Sequence, residues 1–272
     1  MKKYDSIGDF SEGLALVGLN GKFGFADKTG NIVIPCQYQW GEKFSEGLAS
    51  VQLNEQWRFI DKTGKVVFLC RHKFVGNFSE GLALVELENK WGYIDTTGKE
   101  VISYQYNEAC DFSEGLALVQ LNNKFGYIDK TGKEVIHCQY LFAGCFSEGL
   151  APVFLINKWG FIDKTGKEVI PCQYQWAGCF SEGLAPVVLN KKKGFIDKTG
   201  KIIISCQYKY TGDFCEGLAP VVLNNKWGYI DTTGKEVIPC QYLFAGCFSE
   251  GLAPVKLEDK WGFIDKTGKW IY

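Results

Sequence analysis

The six-residue segment Phe-Ser-Glu-Gly-Leu-Ala recurs every 34 residues along the whole chain, with no insertion or deletion between copies. Only the seventh copy departs, with Cys215 in place of serine. Eight copies account for all 272 residues, so we predict a single repeat-array domain spanning residues 1–272. A period of this length indicates stacked copies of one supersecondary unit rather than an enzyme domain built around its own pocket. The copies begin at Phe10, Phe44, Phe78, Phe112, Phe146, Phe180, Phe214 and Phe248.

Each copy contains three segments with the composition of β-strands, joined by short turn sequences. In the copy that begins at Phe112, the segments are residues 116–121, 124–129 and 133–136. The first connection is Asn20-Gly21 in the opening copy, a strong hairpin signal because both residues accept positive φ. The second is Asp-(Lys/Thr)-Thr-Gly in every copy, typical of a type I turn ending in a left-handed glycine. With no 3.6-residue period in any window, the chain is predicted to be all-β, with eight three-stranded antiparallel meanders.

The faces of these meanders indicate how the copies are arranged. Both faces of the first two strands are largely apolar, so each meander must be covered by its neighbours, as in propellers and solenoids. Four copies have a proline in their first predicted strand. Because proline lacks the N–H that a ladder needs, this strand is predicted to lie at a sheet edge. Equal copies in a whole number favour a propeller-like toroid, and an open β-superhelix is the alternative. The prolines in question are Pro152, Pro186, Pro220 and Pro254.

Charge and hydropathy exclude several classes of function. The formal net charge is -1 and no basic stripe is present, so nucleic acid is not an expected partner. No stretch approaches the roughly 18 apolar residues that a membrane span requires. No apolar run follows Met1-Lys2-Lys3, so no signal peptide is expected and the predicted location is cytoplasmic.

The chain has 11 cysteines. In a reducing cytoplasm they are predicted to be free thiols that pack as small apolar residues. A metal site is the first alternative, although Cys-x6-Cys is not the spacing of a zinc finger. Disulfides between cysteines seven residues apart, such as Cys138 and Cys145, are the second alternative.

The unit Lys-Trp-Gly-(Tyr/Phe)-Ile-Asp, followed by Thr-Gly-Lys-Glu-Val-Ile and Phe-Ser-Glu-Gly-Leu-Ala, resembles the bacterial WG-repeat (KWG) family. The resemblance covers the whole chain and implies a β-rich repeat array with no general catalytic motif. The signature of the unit is its Trp-Gly pair. One copy has Trp57-Arg58 instead, which leaves open whether that copy needs glycine, and another has Lys193-Gly194. The pair becomes Phe-Gly at Phe23 and Phe125, and it stands intact at Trp91-Gly92, Trp159-Gly160, Trp227-Gly228 and Trp261-Gly262.

One glutamate recurs in every copy and is the candidate binding position. A row of such carboxylates would bind cations or a basic partner. The alternative is a turn device, in which each carboxylate accepts backbone N–H bonds near the following glycine. The eight residues are Glu12, Glu46, Glu80, Glu114, Glu148, Glu182, Glu216 and Glu250.

Two other recurring positions are expected to be structural. The aspartate that opens each Thr-Gly turn is predicted to accept an N–H bond from two residues on. The recurring tryptophan is predicted to pack between units, with stacking on sugars or bases as the alternative. The most variable positions, in the first strand and in the connection near Trp40, are where a scaffold would diversify a binding face.

No catalytic constellation is present in the sequence. There is no Gly-x-Ser-x-Gly elbow, phosphate loop or His-Glu-x-x-His motif, and the two histidines occupy unrelated positions. We therefore predict a protein that is not an enzyme, with no cofactor and no metal. The expected function is a non-catalytic scaffold that binds a protein partner. The alternatives are a lectin-like array that binds glycans and a self-assembling structural protein, and membranes are not an expected partner.

Overall fold

The computed structural model describes residues 4–271. This range leaves out Tyr272 and residues Met1, Lys2 and Lys3, which begin the segment where no signal peptide is expected. Within residues 4–271 the chain contains 31 strands in eight antiparallel sheets and no helix. None of these residues therefore belongs to a helix that could cross a membrane.

The contacts of the chain group into two compact units, Met1–Gln139 and Tyr140–Tyr272. They are called the first and second unit below and are described separately. Whether the chain is the single domain expected from the repeat stays a prediction.

The first four sheets follow one another along the chain. Their strands are β1 (Ser6–Ser11), β2 (Leu14–Leu19), β3 (Lys22–Asp27) and β4 (Ile32–Tyr38); β5 (Trp40–Gly41), β6 (Leu48–Leu53), β7 (Gln56–Asp61) and β8 (Val66–Cys70); β9 (Phe74–Ser79), β10 (Leu82–Leu87), β11 (Lys90–Asp95) and β12 (Glu100–Tyr106); β13 (Glu108–Ala109), β14 (Leu116–Leu121), β15 (Lys124–Asp129) and β16 (Glu134–Tyr140).

The last four sheets repeat this pattern, and the eighth has three strands. Their strands are β17 (Phe142–Ala143), β18 (Leu150–Leu155), β19 (Lys158–Asp163) and β20 (Glu168–Tyr174); β21 (Trp176–Ala177), β22 (Ala185–Leu189), β23 (Lys192–Ile196) and β24 (Ile202–Tyr208); β25 (Tyr210–Thr211), β26 (Leu218–Leu223), β27 (Lys226–Asp231) and β28 (Glu236–Tyr242); β29 (Phe244–Ala245), β30 (Leu252–Leu257) and β31 (Lys260–Asp265).

The three predicted strands are the second, third and fourth strands of each complete sheet. The prediction missed a strand that precedes them, which is only two residues long in six of the sheets. It lies within the segment that was predicted to be a connection. In the fifth sheet it pairs Phe142 with Phe154 and Ala143 with Val153. Each complete sheet is therefore a four-stranded antiparallel meander.

The proline-bearing strand is not an edge strand, so this prediction was wrong. Pro152 pairs with Phe161 on one side, and on the other its carbonyl accepts a bond from the N–H of Gly144 at 2.9 Å. The first strand ends at Ala143, and its pairing resumes only at the isolated bridge between Ser147 and Leu150. The missing N–H of proline faces this interruption, which is why an inner strand tolerates it.

The glycine of the Trp-Gly pair is required by a bulge in the fourth strand. In the third sheet the register moves from Trp91–Tyr106 to Tyr93–Ile102. A Cβ on the intervening Gly92 would lie 2.5 Å from the carbonyl oxygen of Ile102. This distance is too short for any other residue without backbone movement.

The second sheet lacks this bulge at the corresponding point. Arg58 pairs directly with Leu69, between the regular pairs Trp57–Cys70 and Phe59–Phe68. Side chains therefore have room at that position, and this copy does not need glycine. The substitution at Arg58 and the regular register occur together.

The cores of each unit lie between neighbouring sheets. In the first unit, Phe25 of the first sheet and Phe44 before the second have ring centroids 4.7 Å apart, and both are fully buried. In the second unit, Phe161 and Phe180 repeat this pair at 5.0 Å. Tilted rings at this distance are the arrangement that aromatic pairs prefer. Each copy thus covers the apolar face of the copy before it.

Candidate functional site

Every sheet has two ends that carry different residues. At one end lie the Ser-Glu-Gly turn and the Asp-(Lys/Thr)-Thr-Gly turn, and we call this the clamp end. At the other end lies the two-residue turn between the second and third strands, such as Ile156-Asn157, and we call this the hairpin end. The predicted glutamates lie at the clamp end.

The glutamates join each copy to the next within a unit. In the second unit, the Glu148 carboxylate accepts a bond from the N–H of Gly183 at 3.1 Å and lies 3.0 Å from Nζ of Lys198. Glu12, Glu80 and Glu216 make the same two contacts in their own copies. Glu46 and Glu182 accept the glycine bond, and threonine stands where their lysine would be. All eight glutamates, Glu114 and Glu250 included, have positive φ between 51° and 55°.

The pKa values agree with this geometry. For Glu148, burial opposes ionisation, but the Lys198 ammonium and the Gly183 N–H outweigh it and lower the pKa of the carboxyl. For Glu12, the hydrogen bond from Lys62 is the largest effect and also lowers the pKa. Glu12, Glu80, Glu148 and Glu216 are thus ionised clamps between copies. They differ from the expected turn device, because the N–H that each accepts belongs to a glycine of the next copy and not to the glycine that follows the glutamate. Binding of a cation or a basic partner by these residues stays a prediction.

The recurring aspartates form the predicted turns. Oδ1 of Asp163 accepts bonds from the N–H of Thr165 at 2.9 Å and its hydroxyl at 2.6 Å. It also accepts the N–H of Lys167 at 3.1 Å. The bond from the Thr165 hydroxyl is the main reason that the pKa of this carboxyl is lowered. These contacts stay within the turn, so the aspartates need no ligand to explain them.

Four of the recurring tryptophans pack as predicted. Trp57, Trp91, Trp159 and Trp227 are half-buried against the cores between sheets. The fifth, Trp261 in the eighth sheet, is 60% exposed.

The hairpin ends of the second unit carry an exposed apolar row that the prediction of site residues missed. The first strand of each sheet opens with an aromatic residue whose side chain is 38–57% exposed. We call these four residues together with Ile156 the apolar rim. The four aromatic members are Phe142, Trp176, Tyr210 and Phe244.

At the fifth sheet, the rim residue Phe142 belongs to a larger cluster of aromatic rings. Phe142 and Phe154 contact each other edge to face, with centroids 5.7 Å apart, and Phe154 lies 5.6 Å from Trp159. These residues occupy one row of the ladder, since Phe142 pairs with Phe154 and Phe154 with Trp159. Three aromatic rings therefore lie side by side across this sheet.

Ile156 extends the same end of the fifth sheet into solvent. It is 87% exposed, the largest value among the exposed large apolar side chains of residues 4–271. Its φ is 51°, in the left-handed region that a β-branched residue rarely adopts. The equivalent residues are Asn20, Asn54, Glu88, Asn122, Asn190, Asn224 and Glu258. A sequence comparison of the copies could have found this position, because only here does an apolar residue replace a polar turn former.

Lysines flank the rim. The Lys193 ammonium lies 4.5 Å from the centroid of the Trp176 ring, and Lys209 lies 5.8 Å from that of Tyr210. Burial lowers the pKa of Lys193, and the charge of Asp213 partly opposes this. These contacts are cation–π interactions, in which the ring face attracts the cation. Lys193, which departs from the Trp-Gly pattern, therefore covers a neighbouring rim residue.

The hairpin ends of three sheets in the second unit carry positive charge. The turns and adjoining strand ends of the fifth to seventh sheets, residues 154–159, 188–193 and 222–227, contain five lysines and no acidic residue. The corresponding residues 52–57 and 86–91 of the first unit contain Glu55, Glu86 and Glu88.

A cavity of about 290 Å³ opens in the seventh sheet at this end. It is lined by Tyr210 and Trp227, by Val222 between them, and by Lys209 and Asn225. A second cavity, of about 360 Å³, opens in the first unit beside Phe74, with Glu42 and Asp111 on its polar side. Burial raises the pKa of Asp111. In residues 4–271, no three histidine, cysteine or acidic side chains are placed to hold a metal ion.

Solved structures with low sequence identity share this fold. A crystal structure of a eukaryotic initiation factor has a TM-score of 0.66 and 9% identity, covering 96% of this chain and 84% of that chain. Hsv2p of Kluyveromyces lactis has a TM-score of 0.50 and 10% identity, covering 98% of each chain. None of the curated proteins compared with the sequence matches it. The sheets and these structures confirm the predicted fold class, an all-β propeller with eight blades.

The sequence also matches a family model along nearly its whole length. The model is described as a WG containing repeat. It matches residues 2–23, 23–57, 57–91, 91–125, 125–159, 159–192, 194–227, 227–261 and 261–272. The chain belongs to the family of WG containing repeat proteins.

Proposed function

We propose that this protein is a non-catalytic scaffold that binds a protein partner through the apolar rim of its second unit. Ile156 carries the proposal. An isoleucine that is 87% exposed, in a backbone conformation that favours asparagine, contributes nothing to the folded chain that asparagine would not. A binding role explains why an apolar side chain stands there.

The composition of the rim supports a protein ligand. Contiguous exposed apolar surface marks interaction sites on soluble proteins. Aromatic residues dominate the energetics of protein interfaces because they bury large areas with few rotatable bonds. Phe142, Phe154 and Trp159 are adjacent in one sheet and are already held by their mutual contacts, so binding would order few side chains.

The charge around the rim indicates the chemistry of the partner. Lysines flank the rim in the fifth to seventh sheets, and no acidic residue lies in their turns. Complementary charge favours encounter with an acidic surface and disfavours a basic one. We infer that the partner presents acidic residues beside one or more apolar side chains.

Glycan binding is the second candidate. The cavity at the seventh sheet combines Tyr210 and Trp227 with the amide of Asn225, a combination able to stack on a sugar ring and hydrogen-bond its hydroxyls. The three adjacent rings and the exposed Ile156 at the fifth sheet favour protein instead, because aliphatic surface has no hydrogen bond to offer a sugar. The bacterial origin and cytoplasmic location expected from the sequence stay proposals.

Affinity capture from host lysate with matched variants tests the proposal. The rim variant carries Phe142→Ser, Ile156→Asn and Tyr210→Ser. The control variant carries Val169→Ser, Ile203→Ser and Val237→Ser, which remove three apolar side chains of the fourth strands that are 37–40% exposed. The proposal predicts at least one acidic protein that the parent and the control capture and the rim variant does not. Identical captured proteins for all three would contradict it, and rim-dependent binding on a glycan array without a captured protein would favour the second candidate.

A further inference from the structure

The contact between the seventh and eighth sheets has a cysteine at a position where the other seven copies have serine. In the sixth copy, the Ser181 hydroxyl donates to the carbonyl of Phe214, 33 residues on, at 2.8 Å. The same bond is made by Ser11, Ser45, Ser79 and Ser147 at 2.6–2.8 Å. A side chain at this position therefore reaches the backbone of the next copy. In the seventh copy the position holds Cys215, and the carbonyl 33 residues on belongs to Phe248.

The residue before Phe248 is a second cysteine. Sγ of Cys247 reaches back to the carbonyl of Asp213 at 3.9 Å. It also lies 3.8 Å from the point where a Cβ on Gly212 would stand. Its thiol is therefore held against the segment that leads into Cys215. The two cysteines approach the same junction from opposite sides.

The two thiols interact with each other. Burial is the main cause that raises the pKa of Cys215 to about 12, and a hydrogen bond and charge interaction with Cys247 add to it. Cys215 is half-buried, whereas Cys247 is exposed to solvent. One thiol is thus open to a small reagent, and the other is less accessible.

We propose that Cys215 and Cys247 form a two-cysteine oxidation site, which reacts with a hydroperoxide and closes a disulfide bond between the seventh and eighth sheets. The exposed Cys247 thiolate attacks the peroxide, so that the O–O bond breaks, an S–O bond forms, and the displaced alkoxide or hydroxide takes up the proton that the thiol released and leaves as an alcohol or water. The Cys215 sulfur then displaces hydroxide from the Cys247 sulfenic acid, and its proton leaves with that hydroxide as water. Both sulfurs are oxidised by one electron each, and the peroxide takes up the two electrons.

The repeat explains why this junction alone would react in this way. Position 215 is serine in the other seven copies, so no other contact between copies places a thiol there. Cys145 and Cys179 share the repeat position of Cys247, but the serine position of the copy before each of them holds Ser113 and Ser147. A thiol reductant would reverse the bond by exchange, so the site would respond to the balance between peroxide and thiols.

Peptide mapping of the full-length protein tests this inference. The folded chain is treated with hydrogen peroxide, its remaining thiols are alkylated, and it is digested with trypsin without reduction. The expected product joins residues 210–226, which contain Cys215, to residues 236–256, which contain Cys240 and Cys247. The Cys240→Ser variant should keep this product, because it removes the neighbouring thiol only.

The Cys215→Ser variant restores the residue of the other seven copies and is expected to fold normally. It cannot form the linked peptide, and its Cys247 should instead accumulate sulfinic acid at least tenfold more than in the parent, because no second thiol remains to resolve the sulfenic acid. Two results would overturn the inference: a folded parent whose Cys247 oxidises to sulfinic acid without forming the linked product, or equal yields of that product from folded and urea-unfolded chains. Preferential linkage of Cys145 to Cys179 would also overturn it.

Discussion

Replacing Ile156 by asparagine should stabilise the protein. A left-handed conformation costs an L-residue with a Cβ about 1–2 kcal/mol, and asparagine tolerates it better than other residues. Ile156 is 87% exposed, so its removal forfeits almost no buried area. The expected gain in the free energy of unfolding is about 1 kcal/mol, which corresponds to a rise in Tm of roughly 2–4 °C for a domain of this size class.

The reciprocal change provides the matched control for this prediction. Asn190 occupies the same turn position in the sixth copy with φ 52°. Asn190→Ile should lower Tm by a similar amount, because it introduces the strain that Ile156→Asn removes. Differential scanning calorimetry of both variants beside the parent gives the comparison. An unchanged or lower Tm for Ile156→Asn, together with no loss for Asn190→Ile, would refute the reasoning from backbone strain.

Three further predictions concern the clamps, the turns and the thiols. Thr232→Lys should give Glu182 the ion pair that other copies have, raising the free energy of unfolding by less than about 1 kcal/mol; the gain should disappear in 1 M salt, and persistence there would contradict it. The turn carboxylates, such as Asp129, have a pKa below the ordinary value, chiefly through the threonine hydroxyl two residues on. Their stabilisation is present above the unfolded pKa of about 4 and is lost as pH falls through the folded value, so Tm should fall below about pH 4; a Tm that stays level there would refute this. Burial raises the pKa of Cys70 to about 12, so iodoacetamide at pH 8 should label exposed Cys247 at least tenfold faster, and equal rates on the folded chain would refute this.

The features predicted correctly are those with local causes. The hairpin and Asp-Thr-Gly turns are encoded by adjacent residues, and their strands follow from alternating apolar segments between them. The bonds of Asp163 stay within four residues of it. The stacking of each sheet against its neighbours was predicted from the repetition, because a unit with two apolar faces must be covered by its own copies.

The features that were missed depend on contacts between distant residues. The first strand of the fifth sheet is two residues long and pairs with residues ten or more positions later, so it has no periodicity of its own. The edge prediction for Pro152 failed for the same reason, since the strand beside it went unrecognised. The glutamates bond to glycines 35 residues on, as Glu148 does with Gly183. No local pattern distinguishes such a clamp from a free carboxylate.

Ile156 is a different case. Its departure from asparagine is visible in the printed sequence, but its meaning depends on two structural quantities, φ and exposure. Among near-identical copies, a residue that breaks the pattern carries more information than one that repeats it. The same reasoning applies to Arg58, to Lys193 and to Cys215.

The most direct test of the proposed binding surface is the dissociation constant of the captured partner for the Ile156→Asn protein relative to the parent. Burying an isoleucine side chain contributes about 1.5–3 kcal/mol, and each 1.4 kcal/mol changes the dissociation constant about tenfold. Binding should therefore weaken about 10- to 100-fold in a variant whose Tm is higher than that of the parent, which excludes loss of folding as the cause. An unchanged dissociation constant would contradict the assignment of the rim as the binding surface.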